Sequence, residues 1–249
     1  MQPTTKPKAI SETGIAKNIA NFARIINACT AHGALFAPSY AKIKLPALTA
    51  LYNTAQAAVD ATTNAKVAND HAITTRNLAF KNLNPTLTKT INLLAASGVP
   101  AQTIAQARTL LRKLTGQRAD NSAPTTLPDG TTAKKISVSQ MSLDNRIENF
   151  SKYIQFLSLV SEYAPNEANL SIVGLKSLHD AMEAANNAVM ATNLQFTNAK
   201  NQRDTIMYQD VDGLVTIAQD TKTYIKAIFG VGSVEYKQVS KLSFTAKRA

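Results

Sequence analysis

The chain has 249 residues, of which 17% are charged, against roughly 25% in an average soluble domain. Hydrophobic residues make up 45%, which excludes a disordered chain, and no run approaches the roughly 18 consecutive apolar residues of a membrane span. The single cysteine, Cys29, excludes an internal disulfide framework. We therefore expect a folded, cytoplasmic protein that does not insert into a membrane.

The net charge of +11 is unevenly distributed along the sequence. Residues 1–127 contain 14 Lys and Arg against 4 Asp and Glu, whereas residues 128–249 contain 13 against 12. One interpretation is that the first half contacts an anionic partner such as nucleic acid. The other is that solvent-exposed lysines have accumulated there without a function.

The first predicted helix runs from about Thr13 to His32, with apolar residues at helical spacing. A short Ala-Pro loop follows, and Ser39 is a suitable N-cap for a long second helix that ends near Asn82. Proline removes a hydrogen bond inside a helix, so this second helix either begins near Pro46 or kinks there.

A third helix is predicted from about Pro85 to Ser97, before Gly98, and a fourth segment reads "PAQTIAQARTLLRKLTG" with apolar residues at helical spacing. The densest set of basic residues lies in and after this segment, and its first two members share one helical face. These are the candidate contacts with a polyanion: Arg108, Arg112, Lys113 and Arg118.

The stretch "QRADNSAPTTLPDGTTAKK" is rich in Thr, Pro and Gly and is predicted to be a linker. After it come a helix over about Ser142 to Ser161, a long helix from Asn166 to about Gln209, and a helix over about Gly213 to Phe229. Gly230 is expected to end the last of these. The remaining "GSVEYKQVSKLSF" alternates like a strand or an irregular tail.

The second set of elements repeats the first. Ile15, Ile19, Phe22 and Ile26 recur 128 positions later, and from "FAPSYAKI" against "YAPNEANL" the offset is 127. The sequence therefore predicts a tandem duplication with four parts: an N-terminal tail (1–11), helical repeat 1 (12–116), the linker (117–137) and helical repeat 2 (138–249). The predicted fold is all-α, an internally duplicated elongated helical bundle with one long helix of ~40 residues per repeat.

A heptad spacing of apolar and small residues runs along both long helices and predicts a coiled-coil-like seam, with small residues facing large ones. Arg76 and Arg203 occupy equivalent positions on this seam. They form either a register-setting or anion-binding pair, or they extend their head groups to water along an apolar face. We favour the second interpretation.

The sequence contains no recognisable catalytic, metal or cofactor motif, and none of these sites is predicted. His32, His71 and His179 are scattered, and His179 and Asp180 are consecutive helical positions that are not expected to face each other. The fragment "DVDG" lacks the rest of a calcium loop, so Asp212 is expected to cap the following helix. Cys29 aligns with Leu157, which favours a buried cysteine over a nucleophile.

Three segments of the second repeat, "ISVSQMSLDNRIENFSKYIQFL", "YAPNEANLSI" and "GLVTIAQDTKTYIKAIFG…EYKQVSKLSF", resemble a group of uncharacterised helical proteins of Bacteroidota. The resemblance covers roughly residues 136–244 and only weakly extends to the first repeat. It implies a bacterial, all-helical protein. It implies no activity, cofactor or site.

These observations favour a non-enzymatic structural or scaffolding protein that associates with itself through its long helices, in rods or tubes. The alternative is a protein that binds a polyanion such as nucleic acid through the basic first repeat. A third hypothesis, an enzyme with a site at the repeat interface, has the least support in the sequence.

Overall fold

The computed structural model describes residues 12–116 and 141–245, and all regular structure in these two ranges is helical. The prediction of an all-α helical bundle is confirmed. The α-helices are α1 (Glu12–Ala31), α2 (Leu45–Lys81), α3 (Leu83–Ala96), α4 (Ala101–Thr115), α5 (Leu143–Ser158), α6 (Ile172–Tyr208), α7 (Leu214–Phe229) and α8 (Val234–Ser240), with short 3-10 turns at Gly33–Leu35 and Ala41–Ile43. The predicted N-terminal tail (1–11) and linker (117–137) lie outside the described residues.

The two long helices, α2 and α6, each have 37 residues, and both ends of α6 lie 127 positions after those of α2. The predicted start of the second helix near Pro46 is confirmed, whereas the predicted starts at Ser39 and Asn166 are wrong. Pro46 lies in the first turn of α2, where backbone N–H groups have no hydrogen-bond partner within the helix, so proline costs nothing there. A 3-10 turn occupies the residues before it. In α6 the N-terminal cap is Ser171, whose Oγ accepts a hydrogen bond from the Gly174 N–H at 3.1 Å.

Other helix ends also follow local capping chemistry. The Ser142 side chain caps α5, and Gly230 ends α7 with a positive φ of 88° that favours glycine. Asp212 does not cap α7, because its carboxylate pairs with Lys42 instead, so that prediction is wrong. The prediction of a strand-like tail is wrong for Val234–Ser240, which forms α8 because the Ser233 hydroxyl accepts from the Tyr236 N–H.

The chain divides into two compact units. Unit 1 consists of residues Met1–Val67 and Leu194–Ala249, and unit 2 of Ala68–Asn193. Each unit therefore combines helices from both sequence repeats: α1 and the first part of α2 with the end of α6, α7 and α8, and α5 and the first part of α6 with the end of α2, α3 and α4. The repeat boundaries themselves, and the duplication, stay sequence predictions.

The core of unit 1 is formed where α1 packs against α7 and α8. Phe22 and Ile25 of α1 and Ile225 of α7 are fully buried, and the rings of Phe36 and Tyr224 meet edge to face at 5.5 Å between centroids. Cys29 is buried in the same cluster, as predicted, and burial raises the pKa of its thiol to about 12.

The core of unit 2 is formed where α5 packs against α4 and α3 joins them. Phe150, Tyr153 and Leu157 of α5 are fully buried. The Tyr153 hydroxyl lies 3.0 Å from the Oγ1 atom of the fully buried Thr90, so this polar group is satisfied inside the core.

The predicted seam of α2 and α6 contains small and apolar residues, and a hydrogen bond joins the two helices in each unit. In unit 1 the Thr62 Oγ1 atom donates to the Ala199 carbonyl at 3.2 Å, and in unit 2 the Thr192 Oγ1 atom donates to the Asn69 Oδ1 atom at 3.2 Å. The buried seam residues include Ala55, Ala58, Ala72, Met182, Ala185 and Val189.

Candidate functional sites

An open cleft of about 590 Å³ lies between α3 and α4 in unit 2. Arg108 and Arg112 line it together, as their spacing of one helical turn predicts, and threonines complete its polar wall. The Arg112 Nη2 atom donates to the Thr109 Oγ1 atom at 2.9 Å, which holds the guanidinium at the cleft. Fixed guanidinium groups beside hydroxyl donors form a surface suited to phosphate oxygens.

The other two candidate polyanion contacts are not placed in this cleft. Lys113 is exposed on α4 but does not line the cleft, and Arg118 lies outside the described residues. The cleft is therefore a two-arginine site in the part of the chain that the structure describes.

The basic first repeat does not form one body. Counted over the sequence, unit 1 has 15 Lys and Arg against 7 Asp and Glu, and unit 2 has 12 against 9. The net charges of the units are thus +8 and +3, whereas residues 1–127 and 128–249 carry +10 and +1. Because each unit contains helices from both halves of the sequence, the basic residues of the first half are divided between the two units.

Arg203 in unit 1 does not extend its head group to water, so the favoured interpretation is wrong for this residue. Its side chain is only 12% exposed, and its Nε and Nη2 atoms both donate to Asp204 Oδ1, at 3.0 and 2.7 Å. The equivalent arginine, Arg76 in unit 2, is half-buried, and its Nε atom is buried without a hydrogen-bond partner among the described residues. A position-specific pairing of this kind leaves no periodic signal in the sequence.

His179 and Asp180 do contact each other, contrary to the prediction, because the Asp180 carboxylate folds back to place Oδ1 3.0 Å from His179 Nδ1. With Glu183 they form a group of three possible metal ligands on one turn of α6. Asp180 and Glu183 are exposed, and exposed acidic groups are common on helices without any metal. A metal site usually needs neighbouring groups that orient its ligands, and we assign no metal to this exposed turn.

The segment after α8 is held by side chains that sequence reasoning missed. Asn18 of α1 pairs with the backbone of Thr245, since its Nδ2 atom donates to the carbonyl at 2.9 Å and its Oδ1 atom accepts from the N–H at 2.8 Å. Asn21 donates to the Ser243 carbonyl at 2.7 Å, and Lys222 of α7 donates to the Leu242 carbonyl at 3.0 Å. We call this set the tail clamp. It holds the backbone of this irregular segment, whose Leu242 and Phe244 side chains also pack against the core of unit 1.

One end of unit 1 exposes a group of large apolar side chains. The stacked rings of His32 and Phe229, 4.9 Å apart between centroids, join the turn after α1 to the end of α7. Within five residues of His32 or Phe229 in the sequence, Leu35, Ile228, Val231 and Val234 are between 54% and 69% exposed. We call these four residues the apolar tip. Exposed apolar side chains of this size are typical of interaction surfaces when they cluster.

No helix in the described ranges is long and apolar enough to cross a membrane. No protein-family model, curated protein or solved structure matches the chain.

Proposed function

We propose that this protein is a non-catalytic helical scaffold that associates with itself through the apolar tip. The observation that carries the proposal is the exposure of four large apolar side chains in the two segments that the His32–Phe229 stack joins. Leaving such side chains in water costs about 25 cal/mol for each Å² of apolar surface, and a partner surface recovers that free energy.

A second copy of this chain is the occupant that the charges favour. Lys226 in the last turn of α7 and Glu235 in the first turn of α8 flank the tip in sequence. A patch that carries both signs is complementary to itself across a two-fold axis, which is the commonest symmetry of soluble oligomers. Rods or tubes would need a second contact surface in addition to the tip.

The test is to measure the mass of the purified chain by light scattering and analytical ultracentrifugation, at low and at high salt. We expect the wild type to have a multiple of the 26.7 kDa chain mass at both salts, because apolar contacts do not weaken with salt. Val231→Asp should reduce the mass to that of one chain. The matched control is Val67→Asp in the middle of α2, where Val67 is 63% exposed, and it should retain the wild-type mass.

A wild type that is monomeric at both salts would refute self-association. Dissociation of both variants would place the contact elsewhere on the surface, since the two valines have nearly equal exposure.

The second candidate function is binding of a polyanion at the α3/α4 cleft, which the placement of Arg108 and Arg112 favours. Binding of single-stranded DNA should weaken as salt rises, because each bound phosphate releases counterions. Replacing Arg108 and Arg112 with alanine should reduce the slope of log affinity against log salt by roughly one for each phosphate that the variant no longer binds. The exposed Lys176 provides a control, and equal slopes in Lys176→Ala and the double variant would exclude the cleft.

A further inference from the structure

Unit 2 contains two buried guanidinium nitrogens without hydrogen-bond partners among the described residues. They are the Nε atoms of Arg76 on α2 and Arg146 on α5. A buried donor that gives up water without gaining an acceptor costs about 1–3 kcal/mol, and more when the group is charged. Both Nε atoms would be stabilised by a hydrogen-bond acceptor, and the described residues provide none.

The two arginines border the same stretch of α2. The Arg146 guanidinium carbon lies 5.7 Å from the centre of the Phe80 ring, and its Nη2 atom donates to Asn84 Oδ1 at 3.0 Å. Phe80 follows Arg76 by four residues in the same helix, so their side chains are neighbours on one face. Arg146 thus contacts the Phe80 ring, and Arg76 lies one helical turn before that ring on the same face of α2.

The other half of the sequence shows what is missing here. At the position 127 residues after Arg76, Arg203 donates two hydrogen bonds to Asp204. The residue equivalent to Asp204 is Asn77, which carries no charge. Unit 2 therefore keeps the arginine of this pair and lacks its carboxylate.

Nearby charges do not compensate for this absence. The two acids closest in sequence to Arg146 are Asp144 and Glu148, and both have other partners. The Asp144 Oδ1 atom accepts from Asn186 Nδ2 at 2.7 Å, and the Glu148 Oε1 atom accepts from Lys152 Nζ at 2.7 Å. Lys81 adds a further positive charge at the end of α2. Partial burial lowers the pKa of Arg146.

We propose that Arg76 and Arg146 form a binding site for a small oxyanion, such as inorganic phosphate or a phosphate monoester. The oxyanion takes the place that the carboxylate of Asp204 fills beside Arg203. Guanidinium groups suit this ligand because their N–H donors lie in one plane at the spacing of two oxygen atoms. The site is independent of self-association and lies on α2 and α5, whereas the open cleft lies between α3 and α4.

The experiment is a titration of the full chain with inorganic phosphate, followed by calorimetry and by thermal unfolding. We expect one phosphate per chain and a rise in the unfolding midpoint of about 3 to 6 °C at ten times the Kd. Arg76→Gln and Arg146→Gln should each weaken binding at least about tenfold, since each removes a charge-assisted hydrogen bond. Arg112→Gln, in the α3/α4 cleft, is the matched control and should bind as the wild type does.

Asn77→Asp is the decisive variant, because it adds the missing carboxylate and removes no cation. It should raise the unfolding midpoint in phosphate-free buffer and abolish the response to phosphate. Wild-type binding by Asn77→Asp, no binding by the wild type, or weakened binding only in Arg112→Gln would each overturn the proposal. If either glutamine variant fails to fold, Asn77→Asp still tests the site.

Discussion

The buried Thr90–Tyr153 contact in unit 2 allows a quantitative test of how the core satisfies its polar groups. Both residues are fully buried, and their hydroxyl oxygens are 3.0 Å apart. The Thr90 hydroxyl also lies 2.9 Å from the Leu87 carbonyl, whereas Tyr153 has only Thr90 as a hydrogen-bond partner for its hydroxyl among the described residues. The two side chains should therefore respond differently to removal of their partner.

Tyr153→Phe removes the phenolic oxygen, but Thr90 keeps its bond to Leu87. We expect a decrease of about 0.5–1.5 kcal/mol in the free energy of unfolding, the net value of one hydrogen bond. Thr90→Val leaves the Tyr153 hydroxyl buried and unpaired, which should cost about 1–3 kcal/mol. The double variant should be destabilised no more than Thr90→Val alone, because it also lacks the Tyr153 hydroxyl and so leaves no buried hydroxyl unpaired.

Urea unfolding of the four proteins, followed by circular dichroism, measures this double-mutant cycle. For a chain of this length each kcal/mol corresponds to about 2–4 °C in the thermal midpoint, which provides a second readout. Strictly additive effects, or a larger effect of Tyr153→Phe than of Thr90→Val, would show that the contact is not the satisfied pair described here.

Three further predictions concern other parts of the chain. Burial raises the pKa of Tyr153 from 10 to about 12. Between these pH values the unfolded tyrosine ionises while the folded one stays neutral, so the free energy of unfolding should fall as pH rises. Unfolding measured at alkaline pH should show a smaller fall for Tyr153→Phe. Cys29, buried and with its thiol pKa raised to about 12, should react with a thiol reagent in native buffer far more slowly than in denaturant, and equal rates would contradict its burial. Asn18→Ala breaks two bonds of the tail clamp and should speed carboxypeptidase removal of Thr245, whereas the exposed Asn27→Ala should not.

Local signals in the sequence predicted most of the helices. Amphipathic spacing and terminal glycines located α1, α3, α4, α5 and α7 to within a few residues, and Pro46 marked the first turn of α2. Errors arose where two local signals competed. Ser39 and Asn166 have good capping chemistry, but the 3-10 turn before Pro46 and the cap at Ser171 place the helix starts several residues later.

Long-range contacts could not be read from one sequence. Asn18 and Thr245 are 227 positions apart, and no pattern links an asparagine in α1 to the backbone of an irregular tail. The assembly of each compact unit from both repeats depends on which helices pack together, and periodicity shows only that each helix has an apolar face. Arg203 and Arg76 occupy equivalent sequence positions but differ in their hydrogen bonds. The Arg203 Nε atom pairs with Asp204, whereas the Arg76 Nε atom has no partner among the described residues, and the sequence alone does not reveal this difference.

The mass of the purified chain at low and high salt, for the wild type and Val231→Asp, tests the central proposal most directly. Self-association through the apolar tip predicts a wild-type mass of at least two 26.7 kDa chains at both salts, and a single chain for the variant. A wild type that sediments as one 26.7 kDa chain in both buffers would contradict it.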